Sequence, residues 1–418
     1  MDLFNILAIL ITLAAVFSYI NFRYIGLPVT IGVMVIALVM SLALNVLGSF
    51  GFGLEQQAQS LLRSIDFDKT LLHGMLSFLL FAAALHIDIN DLMEWKWSIG
   101  TLATVGTIIS TFLVGTLTWV VLGWFGIALS YIYCLLFGAL ISPTDPIAVL
   151  GTLKTAGAPK SLEMRITGES LFNDGVGIVI FLVILEMATG GHAVSAGHIV
   201  GLFVQEAIGG ALFGLGIGYV AYQMLKSVDN YQVEILITLA LVTGGYALAD
   251  ALHLSGPIAM VVAGVLIGNH GRLFGMSAET RAHLDVFWEL VDEILNAVLF
   301  LLIGLEILVL TFTQQYLLAS LVIIPLVLLA RFVAIGIPVT VLRSFRSFSP
   351  GAVRIMTWGG LRGGISVALA LSLPPGRERD VILAITYAVV VFSIVVQGLT
   401  LKRVVERTML RHAAQGVG

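Results

Sequence analysis

The run Gly168-Glu169-Ser170-Leu171-Phe172-Asn173-Asp174-Gly175 puts two carboxylates, a hydroxyl and an amide within one turn and a half of a helix. Ser170 and Asp174 are four residues apart and share a face, and Glu169 and Asn173, also four apart, share the adjacent one. Hard oxygen donors of this kind suit a monovalent cation, and a carboxylate among them suits a proton equally well. A second stretch, Ser142-Pro143-Thr144-Asp145-Pro146, sets Asp145 between two prolines. Proline removes a backbone donor and clashes with the carbonyl four residues back, so helix is not expected to continue through 143–146. The freed carbonyl of Thr144 and the carboxylate of Asp145 then become available to a cation. Asp145 is also a good residue type for capping the second half of such a broken helix. Two arginines complete the set: Arg331 in Leu328-Leu329-Ala330-Arg331-Phe332-Val333, and Arg362 in Gly359-Gly360-Leu361-Arg362-Gly363-Gly364.

The elements that hold these residues are apolar. Of 418 residues, 59% are hydrophobic and 11% charged, against about 45–50% and about 25% in soluble domains. Mean hydropathy is +1.04. This composition excludes a soluble enzyme, a nucleic-acid binder, a disordered chain and a secreted disulfide scaffold. The single cysteine, Cys134, excludes an intrachain disulfide and a cysteine-based metal cluster. The first apolar run has no basic start and no small-residue cleavage site, so a retained span is expected rather than a signal peptide.

A membrane-spanning helix needs about 20 apolar residues. The apolar runs predict an all-α polytopic protein with thirteen spans, at about 3–21, 28–48, 70–87, 98–124, 128–153, 162–189, 198–225, 231–252, 256–270, 285–310, 315–343, 351–373 and 380–402. The amphipathic stretch 53–69 is expected on the surface, and 403–418 as a short cytoplasmic tail. With the N-terminus outside, fifteen of the 21 basic residues fall in cytoplasmic segments, four in external ones, and Arg331 and Arg362 at membrane depth. That asymmetry predicts N-out, C-in in the inner (plasma) membrane, and the parity requires an odd number of spans.

The order of spans contains a repeat. Span 2 opens Gly26-Leu27-Pro28 and span 9 opens Ser255-Gly256-Pro257, seven spans apart and therefore of opposite direction. The same offset pairs span 5 with span 12, the two spans broken by Pro or Gly. Paired interrupted helices in an inverted repeat point to a transporter's binding site. The chain then divides into repeat one (about 1–190), a linker helix (about 198–225) and repeat two (about 231–402), all one membrane domain.

Each ionisable group at membrane depth costs at least about 2.5–3.5 kcal/mol, so each needs a partner, water or a function. Arg331 stays protonated and must meet an acid, for which Glu169 is the preferred choice. Arg362 is placed at the crossing, near Asp145. Asp145, Glu169 and Asp174 against two arginines leave one negative charge. One cation or one proton balances it, as in an exchanger whose single carboxylate binds either but never both. Burial favours the neutral form of a carboxylate, which brings proton competition toward physiological pH, and Asp174 is expected to be the exchanging group. Glu186, Glu206, Asp250 and Glu306 fall near span ends, within reach of water. Glu163 and Arg165 are expected to pair or to line the cytoplasmic mouth. A channel would need a continuous pore with rings of charge. An intramembrane aspartyl protease would leave Glu169 and both arginines unexplained. Zinc-protease, phosphate-loop and Rossmann motifs are absent.

Thr144-Asp145-Pro146, Glu169-Ser170 with Asn173-Asp174, Ala330-Arg331 and Gly359-Gly360-Leu361-Arg362-Gly363 together resemble the monovalent cation:proton antiporters, most closely the NhaP-type branch, over essentially the whole chain. The resemblance implies a homodimer in the bilayer with no soluble or nucleic-acid partner, no cofactor and no enzymatic activity. It also implies a six-helix core that moves as an elevator. Na⁺ would be held by Asp174, Ser170 and Thr144, with Asp145 beside it and Li⁺ or K⁺ as alternatives. Glu169 and Arg331 would form the structural pair of the core. An Asn at position 173 goes with electroneutral one-for-one exchange. One feature departs from some relatives: Leu80-Phe81 is followed by Ala82-Ala83, where a glutamate near the ion would stand.

Overall fold

The computed structural model describes residues 3–50, 59, 62, 70–190, 196–310, 313–349 and 351–415. The amphipathic stretch expected over 53–69 lies outside them, apart from Gln59 and Leu62. Within the described residues the chain forms fifteen helices and no strand. These are α1 (Leu3–Ile20), α2 (Val29–Ser49), α3 (Leu76–Leu85), α4 (Ile89–Trp124), α5 (Tyr131–Ile141), α6 (Ile147–Thr155), α7 (Lys160–Thr189), α8 (196–226), α9 (Tyr231–Ala251) and α10 (Gly256–Gly271). After them come α11 (Ala278–Glu306), α12 (Gln314–Leu342), α13 (Ala352–Trp358), α14 (Gly364–Leu371) and α15 (377–415).

Eight of these, α1, α2, α4, α7, α8, α9, α12 and α15, contain stretches long and apolar enough to cross a membrane, and α3, α5 and α10 are shorter apolar helices. Each of the thirteen expected spans coincides with one helix or with a broken pair, α5–α6 and α13–α14. Large apolar side chains stand outward, among them Phe4, Phe22, Trp124 and Leu236, as helices surrounded by lipid require. Hydropathy located the spans but not their true ends. Helix α4 begins at Ile89 because Asp88 caps it, accepting from Asn90 N at 2.8 Å. Helix α11 begins at Ala278 because Ser277 accepts from Thr280 N. Caps act on backbone donors whatever the polarity of the next turn, so a helix runs past its apolar stretch. The expected tail is likewise a direct continuation of α15 as far as Gln415.

The abundance of glycine, 44 residues, finds its use at helix crossings. A Cβ on Gly138 of α5 would strike the Thr111 carbonyl oxygen of α4. A Cβ on Gly214 of α8 would strike the backbone of Ala259 on α10. Small residues let backbones approach where lipid supplies no hydrophobic drive between helices. A separate cluster joins α3, α8, α9, α10 and α11 around the fully buried Trp288. That indole lies 4.8 Å from Phe81 and donates to Thr238 Oγ1 at 3.1 Å.

Gly138→Val should therefore cost about 1–3 kcal/mol through overpacking and lower the melting temperature in detergent. Gly123→Val, where nothing lies within 4 Å of the added Cβ, should melt like wild type. Equal melting of both variants would contradict the close crossing.

Candidate functional site

The two interrupted spans meet at their breaks. Asp145 N donates to Leu361 O at 2.8 Å, pairing the extended stretch between α5 and α6 with that between α13 and α14. Glycine is needed along the second break because the side chains of neighbouring elements lie directly on it. A Cβ on Gly360 would meet the Arg331 guanidinium, one on Gly363 the Asp145 carboxylate, and one on Gly364 Leu299. Helix α7 packs against the first break through Gly177, whose missing Cβ makes room for the Pro143 ring.

Arg362 is buried at the crossing. Its Nη1 donates to the carbonyls of Ser142 (2.8 Å) and Pro143 (3.0 Å), and its backbone N–H donates to Ser393 Oγ. Those carbonyls end α5, so the guanidinium opposes the negative end of that half-helix. Its direct partners are backbone oxygens; Asp145 lies beside its chain neighbour Gly363.

Glu169 and Arg331 form a buried bidentate pair, Nη1–Oε1 2.5 Å and Nη2–Oε2 2.7 Å. One turn on, the Asn173 amide ties α7 to the first break and to the ion pair. Nδ2 donates to Thr144 Oγ1 (3.0 Å) and Glu169 Oε1 (3.3 Å), while Oδ1 accepts from Thr144 N (3.2 Å). Ser170 Oγ and Thr144 Oγ1 share a hydrogen bond of 2.9 Å.

Asp174 lies one turn beyond Ser170, 5% exposed, with no hydrogen-bond partner among the described residues. Its like-charged neighbours are Asp145 and Glu169. Together with Thr144, Asp145, Leu76, Leu80, Leu299 and Ser366 it lines a cavity of about 50 Å³. A single water needs about 10–15 Å³ by this measure, so the cavity admits a small ion with a little water. Among the described residues no cluster of three or more His, Cys, Asp or Glu is arranged for a multivalent metal.

Two other charged residues depart from expectation. Arg165 does not pair with Glu163: it is fully buried between Trp95 and Phe348, 4.1 and 4.0 Å from the ring centroids, and donates to Ser347 O. Two flat aromatic faces, with Glu94 within Coulombic reach, take the place expected of Glu163. Glu306 is not open to water but 8% exposed, because α2 packs along this end of α11, where Ser41 Oγ donates to Gly304 O, and Tyr387 of α15 donates from Oη to Ile303 O. Asp292, on α11, was not among the acids singled out, yet it is only partly exposed and within Coulombic reach of Asp145. It lay inside an expected span, but the neighbouring Glu289 and Glu293 gave the segment the look of a solvated face.

The family model described as "Sodium/hydrogen exchanger, transmembrane" matches residues 10–407. The chain belongs to the sodium/hydrogen exchanger family. It is 53% identical over 408 residues to the Na⁺/H⁺ antiporter NhaP of Pseudomonas aeruginosa, covering 96% of each chain. It is 37% identical to the Na⁺/H⁺ antiporter NhaH of Halobacillus dabanensis, over 85% of this chain and 87% of that one. In fold it is similar to the sodium proton antiporter MjNhaP1 of Methanocaldococcus jannaschii, with TM-score 0.77, 17% identity, and coverage of 98% of this chain and 100% of the other. The chain is thus a transporter-family membrane protein, not an enzyme, and needs no cofactor.

Breaking the buried pair from one side leaves an uncompensated charge, at about 3–5 kcal/mol. Glu169→Gln and Arg331→Met should each melt well below wild type in detergent. The double variant should lose less than the sum of the two. Wild-type melting of both single variants would contradict the pairing.

Proposed function

We propose that the chain is a secondary antiporter that exchanges Na⁺, with Li⁺ and K⁺ as chemically admissible alternatives, for a proton, one for one and without net charge. One observation carries this reading: Asp174 lines a cavity of about 50 Å³ with no hydrogen-bond partner among the described residues, while Glu169 beside it is held by Arg331. The activities named for the Pseudomonas and Halobacillus relatives support it.

Asp174 is the exchanging carboxylate. Ser170 and Thr144 supply neutral oxygens, and Asp145 supplies a second negative charge at the break. Asn173 fixes Thr144 against α7, so the ligands from α7 and from the first break stay in register. Asp145, Glu169 and Asp174 against Arg331 and Arg362 leave one negative charge, which one Na⁺ or one H⁺ cancels. Protonation of Asp174 removes the charge that holds the cation, so the loaded states are each neutral and the doubly occupied state is disfavoured. That is the condition for coupled exchange. The broken helices and α7 form a core that carries this site between the two faces of the membrane, elevator-fashion, against the remaining helices. The protein works as a homodimer in the plasma membrane, with the N-terminus outside and the C-terminus in the cytoplasm. The division into repeat one, linker and repeat two belongs to the same reading.

The test uses purified protein in proteoliposomes, with internal pH followed while Na⁺, Li⁺ or K⁺ is added and the membrane potential is clamped or left free. Cation-driven proton movement should occur in wild type and be unaffected by the potential. It should vanish in Asp174→Asn, with the melting temperature retained. Because cation and proton compete for one carboxylate, the apparent KM for Na⁺ should rise as pH falls. Proton movement persisting in Asp174→Asn, or a rate that follows the potential, would overturn the assignment or the stoichiometry respectively.

A further inference from the structure

Helix α11 approaches the Asp174 cavity from the side that carries its N-terminus, and Leu299 on it both lines the cavity and lies against Gly364. Asn296 sits one turn before Leu299, and Asp292 one turn before that, about 10 Å along the helix axis from Leu299. Asn296 is 1% exposed, and neither its Oδ1 nor its Nδ2 has a hydrogen-bond partner among the described residues. Its amide is close enough to the Asp292 carboxylate to interact with it, short of hydrogen-bond geometry. Asp292 in turn lies within Coulombic reach of Asp145, Glu293 and Glu289. Further toward the N-terminus, Asp285 is already occupied by Arg272.

A buried amide with no well-formed hydrogen bond among the described residues is rare and needs an explanation. Asp292 has several acids near it and no basic residue among the groups acting on its charge. Both deficits are met by one object: a monovalent cation between the Asp292 carboxylate and Asn296 Oδ1. Hard oxygens of this kind, one charged and one neutral, suit Na⁺ or K⁺ and keep it partly hydrated.

We propose that Asp292 and Asn296 form a second monovalent-cation site, a staging position outside the Asp174 cavity through which the ion passes between Asp145 and the side carrying the α11 N-terminus. The proposal rests on the antiporter reading above. Its function is to raise the local cation concentration beside Asp145, so it governs affinity for the cation rather than the turnover of the loaded carrier.

Proteoliposomes carrying wild type, Asp292→Asn, Asp292→Glu and Asn296→Leu test it, with initial rates measured against Na⁺ on the α11 N-terminal side. Asp292→Asn and Asn296→Leu should raise the apparent KM about tenfold, with the maximal rate falling less than about twofold, the pattern of lost uniform binding. Asp292→Glu should recover most of the affinity. An unchanged KM in both neutral variants would overturn the proposal, as would a collapse of the maximal rate at unchanged KM. A second measurement stands apart from transport and from the folding of Asp292→Asn. Purified Asp174→Asn should still bind ²²Na⁺ saturably, and Asp174→Asn/Asn296→Leu should not. Absence of saturable binding in folded Asp174→Asn would also overturn the proposal. Failure of wild type to move protons with Na⁺ would instead defeat the antiporter reading, and would leave the binding result to be judged by itself.

Discussion

The backbone hydrogen bond from Asp145 N to Leu361 O joins two chain segments that have both left the helix inside the membrane. Everything at the centre depends on that crossing. An interrupted helix in lipid exposes donors and acceptors that hydrocarbon cannot satisfy. Here the two breaks satisfy part of each other, and Arg362 takes two of the carbonyls left at the end of α5. The crossing explains the composition of both motifs. Prolines stop α5 and α6 from fusing, and glycines at 360, 363 and 364 leave room for Arg331, Asp145 and Leu299.

Around this crossing, charge is separated into groups that are spent and groups that are available. Glu169 and Arg331 neutralise each other through two short hydrogen bonds. Arg362 is turned to carbonyls, so it contributes positive potential to the region without closing off a carboxylate. Asn173 then links the ion pair to Thr144. A change at the pair would thus be felt at the cavity wall. Asp174, with Asp145 across from it, faces the cavity. A polar network of this density in a membrane interior is costly unless every member has a task, and here each named side chain either holds another in place or faces the cavity.

Much of this was legible in the residues themselves. The thirteen segments followed from apolar length, and the two breaks from prolines 143 and 146 and the glycines around Arg362. The offset of seven spans pairs the two breaks from sequence, because helix-breaking residues are conspicuous in an apolar chain. The choice of Glu169 for Arg331 rested on depth alone. Helix ends were less legible, since Asp88 and Ser277 start helices well before the apolar stretch begins. Arg165 was misjudged because a cation held by aromatic rings from two distant segments leaves no mark near it in sequence. Asp292 was passed over because acidic neighbours at 289 and 293 disguised a side chain that turns inward.

The sequence by itself determined which elements must cross the membrane, where two of them must break, and which five ionisable groups lie too deep to be idle. Those are local consequences of hydropathy, proline and glycine, and they do not depend on distant contacts. Only the tertiary structure decided how the charges are shared out: that Glu169 is spent on Arg331, that Arg362 serves carbonyls rather than an acid, and that Asp174 faces a cavity of about 50 Å³. Pairing at depth is a matter of distances between helices far apart in the chain, and the low dielectric there makes a few ångströms decide which carboxylate is neutralised and which is left facing the cavity.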